Sequence, residues 1–168
     1  MKKIQTTLCI VLMIFILIGC NSNHTSNRTV VNFYYRTEPV QHVSDSGIIT
    51  VEARSTKASA DDYQLLLEQY LNGAQTSGCV SPFPAGTSLK SFSVNDSGAS
   101  VTLSPHLTLL SNADLSVACI CLARTVFDMT GVQSVQISAQ NNLLNGEQYI
   151  TITDSNFVME DIVTKIAE

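Results

Sequence analysis

The chain has 168 residues, 14 acidic and 9 basic, for a net charge of −5. That length suits one ordinary domain with a substantial core and leaves no room for a second of similar size. Charged residues are only 14% of the total, and no Arg/Lys stripe interleaves with aromatics, so nucleic acid is excluded as a partner.

At the N-terminus, Lys2 and Lys3 lead into the apolar run Leu8 to Ile18, which stops at Leu17-Ile18-Gly19-Cys20. This is the layout of a bacterial lipoprotein signal peptide over residues 1–19: a positive n-region, an apolar stretch, and a small residue before the cleaved bond. The run is roughly half the ~20 residues needed to span a bilayer. Cys20 is expected to open the mature chain with a diacylglyceryl group on its sulfur, more than the single acyl chain that binds reversibly. The expected location is the cell membrane, lipid-anchored on its extracytoplasmic face. Without Lys2 and Lys3, seven basic residues remain against fourteen acidic ones.

Residues 20–28, ending in NSNHTSNR, are polar and aperiodic and read as a tether. Thr29 to Arg36 is rich in β-branched and aromatic residues, with Val31, Phe33 and Tyr35 on one face of a strand and Tyr34 on the other. Tyr34 is read as a half-exposed tyrosine, with a partner or glycan surface as the alternative. A second strand is expected over Ile48 to Arg54, with Ile49, Val51 and Ala53 on one face. Ser59 and Asp62 form an S-x-x-D capping signature, and Tyr63, Leu66, Leu67, Tyr70 and Leu71 follow at helical spacing until Gly73 closes the helix. The next segment, with Gly78, Pro82, Pro84 and Gly86, reads as a shaped but irregular loop.

Leu89 to Val94 and Ala99 to Leu103 read as strands joined by the hairpin signal Asn95-Asp96-Ser97-Gly98. Asn112 is placed as the cap of a long helix running to about Thr130. Leu115, Cys119, Leu122, Val126 and Met129 form one apolar stripe on it, and Ile120, Ala123 and Phe127 a second, so the helix is largely buried. Gly131 ends it, and Val135, Ile137 and Ala139 alternate as the next strand. After the turn NNLLNG, Tyr149 to Thr153 reads as a strand and residues 155–168 as a helical extension. Paired strands interleaved with helices predict an α+β domain over 29–154, a mixed or antiparallel sheet with helices packed on one face.

Four fragments in this order resemble the GerMN domain of spore germination and sporulation lipoproteins. They are Val31 to Tyr35 with Ile48 to Arg54; the helix ending LLLEQYLNG at Gly73; Ser81-Pro82-Phe83-Pro84-Ala85-Gly86-Thr87 followed by Val101-Thr102-Leu103-Ser104; and Leu122 to Ile137 through Gly131-Val132. The Pro-Ala-Gly-Thr and Val-x-Leu-Ser pieces are the most specific. Where the family often has Asp-Gly after its strand, this chain has Asn141-Asn142 and then Asn145-Gly146. The resemblance implies a non-enzymatic module, ring-building-motif-like in architecture, acting in protein association at the envelope. It implies envelope or sporulation proteins, self-association or peptidoglycan as partners, beside the membrane reached through the lipid on Cys20. Pro82, Phe83, Pro84, Ala85 and Gly86 form the candidate partner-binding loop.

Chemistry has little to start from. His24 lies in the tether, His42 in a loop, and His106 follows Pro105 after a strand, with no G-x-S-x-G segment to present a nucleophile. Cys9 leaves with the signal and Cys20 carries lipid, leaving Cys79, Cys119 and Cys121. Cys119 and Cys121 sit about 200° apart on one helix and cannot bond each other. Free buried thiols are the reading, with a bond from Cys79 to either of them left open. No metal or cofactor is expected, since no His/Cys ligand spacing occurs. The alternative function is a secreted cell-wall hydrolase with a site near His106 and Cys79.

Overall fold

The computed structural model describes residues 28–38 and 48–156. The expected signal peptide, Cys20, the tether up to residue 27, His24, His42 and the C-terminal helix lie outside these residues. Two short sheets and two helices make up the fold. Strands β1 (Thr29–Thr37), β2 (Ile49–Thr56) and β3 (Cys79–Val80) form an antiparallel sheet in the order β2-β1-β3. Strands β4 (Leu89–Asn95), β5 (Gly98–Leu103), β6 (Ser134–Ala139) and β7 (Ile150–Thr153) form a second sheet in that order. It is mixed, because β5 and β6 run parallel across a helical crossover while the other pairs are antiparallel. Helix α1 (Tyr63–Leu71) packs against β4, and helix α2 (Asn112–Thr130) contacts β1, β6 and β7. The class is α+β, as read from the sequence, with the strands divided between two sheets.

The division has a hydrogen-bonding cause. Alternation along β1 aims the Tyr34 N–H away from β2, and β3 reaches only Arg36 and Thr37. Thr125 of α2 fills the gap: its Oγ1 accepts from Tyr34 N at 3.0 Å and donates to the Cys121 carbonyl at 2.9 Å. Thr125 is fully buried. A helix therefore occupies the edge where another strand would pair.

Two caps differ from the sequence reading. Helix α1 is capped by Asp62, whose side chain accepts from Leu65 N at 3.3 Å, with Ser59 one turn earlier. Helix α2 is capped by Ser111 in place of Asn112. Ser111 Oγ accepts from Asp114 N and donates to Asp114 Oδ2, a reciprocal arrangement that Asn112 lies too far along to make. Gly131 takes the left-handed conformation expected after α2.

One main core cluster is shared by both sheets and both helices. Phe33, Tyr35, Leu67 and Tyr70 are fully buried from one side, and Leu103, Leu122, Val126 and Ile137 from the other. Each such side chain is worth about 1.5–3 kcal/mol relative to exposure. A smaller cluster joins Tyr34, Ile49 and Cys121, so Cys119 and Cys121 do face opposite sides of α2, each in an apolar setting. Tyr34 is buried, not half-exposed, and its hydroxyl donates to Asp128 at 3.0 Å. On β2 the residues turned to the main core are Glu52, Arg54 and Thr56, while Ala53 is exposed.

Apart from exposed Lys90 at the irregularity in β4, the outward positions of the second sheet share one chemistry. Ser91 and Ser93, Ser100 and Thr102, Gln136 and Ser138, and Thr151 alternate with the inward apolar residues of their strands. None is charged or aromatic. Among the described residues, no helix is long and apolar enough to cross a membrane.

Candidate functional site

The proline-rich loop after β3 is a folded object held at both ends. Ahead of it, Glu52 and Arg54 form a buried ion pair, with side chains 2% and 8% exposed. Arg54 Nε donates to Glu52 Oε1 at 2.7 Å, and a second guanidinium nitrogen reaches the same oxygen. The guanidinium also donates to the Gln69 and Gly73 carbonyls, each at 3.0 Å, which satisfies acceptors at the end of α1. Its remaining contacts are the Tyr35 hydroxyl at 3.2 Å and the face of Phe33 at 4.8 Å. Glu52 Oε2 accepts from Gln75 N at 2.8 Å and Thr76 N at 2.9 Å. The pair thus fixes the end of α1 through Arg54 and the segment that leads to the loop through Glu52.

Burial pulls the Glu52 carboxyl upward, but the bonds from Thr76 N, Arg54 and Gln75 N outweigh it and hold the pKa below the ordinary value. Burial raises Tyr35 to about 12 despite the nearby Arg54 charge, and Tyr70 rises well above its usual value for the same reason. Both hydroxyls act as neutral donors. Tyr35 donates to the Tyr70 carbonyl at 3.0 Å and Tyr70 to the Tyr34 carbonyl at 2.7 Å.

Inside the loop the five candidate residues separate. Pro82 and Phe83 are buried, with the Phe83 ring meeting Tyr70 edge-on at 5.6 Å. Pro84 is half-buried, and Ala85 and Gly86 are exposed. Pro84 through Thr87 form a turn in which the Pro84 carbonyl accepts from Thr87 N at 3.1 Å and Thr87 Oγ1 at 2.8 Å. Gly86 holds the third position at φ +86°, the sign a type II turn requires there. His106 covers this glycine so closely that a Cβ on it would lie 3.2 Å from Nε2. The surface offered to solvent is therefore Pro84, Ala85 and Gly86, with His106 behind them.

Behind the turn, Ser104 accepts from Ser88 N through Oγ at 3.1 Å and shares a hydrogen bond with His106 Nδ1 at 3.2 Å. Ser104 N donates to the Ser88 carbonyl at 2.8 Å. The Pro-Ala-Gly-Thr and Val-x-Leu-Ser fragments, separate in sequence, are one clamp. Ser104 is 3% exposed and committed to this clamp, so it is not presented as a nucleophile. No carboxylate bonds His106 among the described residues, and no hydrogen bond joins His106 to Cys79.

All three cysteines in the described residues are free. Burial raises Cys119 and Cys121 to about 12, and Cys79 is raised by burial and then by the charge of Glu52, so the thiols stay protonated. No group of three or more His, Cys, Asp or Glu converges on a metal-sized site among the described residues.

The sequence model for Germane, described as sporulation and spore germination, matches residues 32–145. The chain belongs to the Germane family. Its fold is that of the GerMN domains of the sporulation protein GerM from Bacillus subtilis. The first of those domains superposes with a TM-score of 0.58 at 14% identity, covering 76% of this chain and 98% of that one. The tandem pair gives 0.52 at 15% identity over 80% of this chain, which spans 49% of the tandem's length. No curated protein matches by sequence. The sequence fragments place Thr87 and Ser104 in one Germane piece, and the structure adds Ser88 and His106 as the residues that join them. The Glu52–Arg54 pair was missed except for the arginine that ends the strand pair.

Proposed function

We propose that this Germane chain is a lipid-anchored, extracytoplasmic module that binds envelope or sporulation proteins and catalyses no reaction. The observation that carries the non-catalytic reading is the commitment of the clamp hydroxyls beneath the exposed turn and of the buried ion pair. Ser104, Thr87, Glu52 and Arg54 all serve backbone partners, which suits a surface that must keep its shape. Anchoring rests on the Leu17-Ile18-Gly19-Cys20 motif. Docking is assigned to Pro84, Ala85 and Gly86, a turn held by the Thr87 bonds to the Pro84 carbonyl and so costing little conformational entropy on binding.

Two measurements test this. Cells fed an alkyne-bearing fatty acid should label the chain in the membrane fraction, and Cys20→Ala should abolish both label and membrane retention. A photocrosslinker at Ala85 should give one discrete adduct in host membranes, while the same group on exposed Lys57 gives none. Persistent labelling of the Cys20 variant would remove the anchor, and indistinguishable crosslinking from the two positions would remove the docking loop.

A further inference from the structure

We propose that the groove at the carboxyl ends of β5 and β6 binds a neutral, acetamido-bearing glycan strand. The groove has a volume of about 450 Å³ and is lined by Thr102, Ser138, Gln140, Asn141, Gln148 and Leu143, among others. It opens beside the parallel β5–β6 pair, where the outward residues Ser100, Thr102, Gln136 and Ser138 carry no charge. Carboxyl ends of parallel strands are where open sheets commonly place ligands.

The walls are fixed by two tight turns. Asn142 N donates to the Ala139 carbonyl at 3.2 Å and Asn142 Nδ2 to the Gln140 carbonyl at 2.8 Å, which puts Asn141 between them at φ +57°. Leu144 and Glu147 exchange backbone bonds of 2.8 and 3.0 Å around Asn145-Gly146. Leu144 is 1% exposed and pins the segment to the core. The site is shaped before any ligand arrives.

Its chemistry selects the ligand. Every polar side chain on the wall is a hydroxyl or a carboxamide, and the Thr102 and Ser138 hydroxyls sit 3.1 Å apart across the strands. The carboxamides of Gln140, Asn141 and Gln148 make no hydrogen bond within the described residues, so donors and acceptors are both on offer. No cation lines the groove to pair a phosphate or carboxylate. A metal ion would find only neutral oxygens. Leu143, 57% exposed, gives the groove apolar surface for a sugar's C–H face or an acetamido methyl. A chain of hydroxyls and amides without net charge complements all of these.

The groove shares no lining residue with the Pro84–Gly86 turn and needs no lipid on Cys20, so variants at Gln140 and Gln148 test it separately from the turn. The test is saturation-transfer NMR on the full-length chain in a zwitterionic, sugar-free detergent, with the N-acetylglucosamine tetramer as probe. Saturable binding is expected, weakened about tenfold or more in Gln140→Ala/Gln148→Ala. Both positions are exposed, and an unchanged thermal transition in that variant will separate lost contacts from lost fold. Absence of saturation, equal affinity in the double variant, equal binding of cellotetraose, or preference for a polyglycerol phosphate would each overturn the proposal.

Discussion

The two sheets solve the same problem with opposite materials. The second sheet is ordinary in pattern: apolar residues in, Ser, Thr and Gln out, with an aliphatic core of Val101, Leu103, Val135 and Ile137. The first sheet turns Glu52, Arg54 and Thr56 inward and covers them with Phe33, Tyr35 and Tyr70. The aliphatic half is held by area and tolerates polar change on its outer side. The polar half is held by a network in which each member leaves others unsatisfied when it is lost. A buried pair of this kind gives weak evidence of net stability but is costly to break on one side.

That contrast can be broken most severely at Arg54. Arg54→Ala is expected to destabilise by about 3–5 kcal/mol, because Glu52 stays buried without its partner and two carbonyls lose theirs. Lysine should not rescue it, since one ammonium cannot replace the guanidinium fork. Urea unfolding of both variants is the measurement. Arg54→Met with Glu52→Gln should recover much of the loss if the unpaired charge dominates.

The aliphatic half breaks through addition instead of removal. Gly98 sits at φ +144° in the β4–β5 hairpin, and a Cβ there would lie 2.5 Å from the Ser134 carbonyl oxygen. Gly98→Ala should cost roughly 1–3 kcal/mol by straining the backbone and forcing β5 from β6. Thr125→Val, at the seam between the halves, should cost about 1–3 kcal/mol by leaving the Tyr34 N–H buried without an acceptor. Amide exchange should then accelerate at Tyr34 before it does in β5 or β6.

Acidity sharpens the comparison further. Glu52 has a depressed pKa in the folded state, so its contribution is full above the pKa of an unfolded glutamate and is lost as pH falls through the folded value. Stability measured from neutral pH downward should decline in the wild type and decline less in Glu52→Gln. The smallest effects belong on the outer face. Ser100→Ala or Thr151→Val should change stability by no more than about 0.5 kcal/mol, read from the same urea curves.

The sequence revealed the aliphatic half better for a physical reason. Alternation, the Asn95–Gly98 turn and the stripes of α2 are local patterns, and each strand and helix there lies close to where it was expected. In β2 the same alternation misleads, since charged Glu52 and Arg54 sit at inward positions and small Ala53 points out. Their partners, Gln69, Gly73, Gln75 and Thr76, are 15 to 24 residues away and contribute backbone atoms. Backbone atoms carry no sequence signature. Strand β3 was invisible for the same reason, being two residues long and defined only by its pairing with Arg36 and Thr37. The Pro-Ala-Gly-Thr turn was legible through its glycine and family pattern, but nothing local showed that Pro82 and Phe83 face inward.

The bond from Tyr34 to Thr125 spans 91 residues. During synthesis β1 emerges long before α2, and at roughly 5–20 residues per second that interval lasts several seconds. For that time the Tyr34 amide has water as its only available partner, beside the aromatic side chains of Phe33 and Tyr35. The β1–β2 and β1–β3 pairings need no residue beyond Val80, but the amide of Tyr34 must wait for α2 before it exchanges water for Thr125.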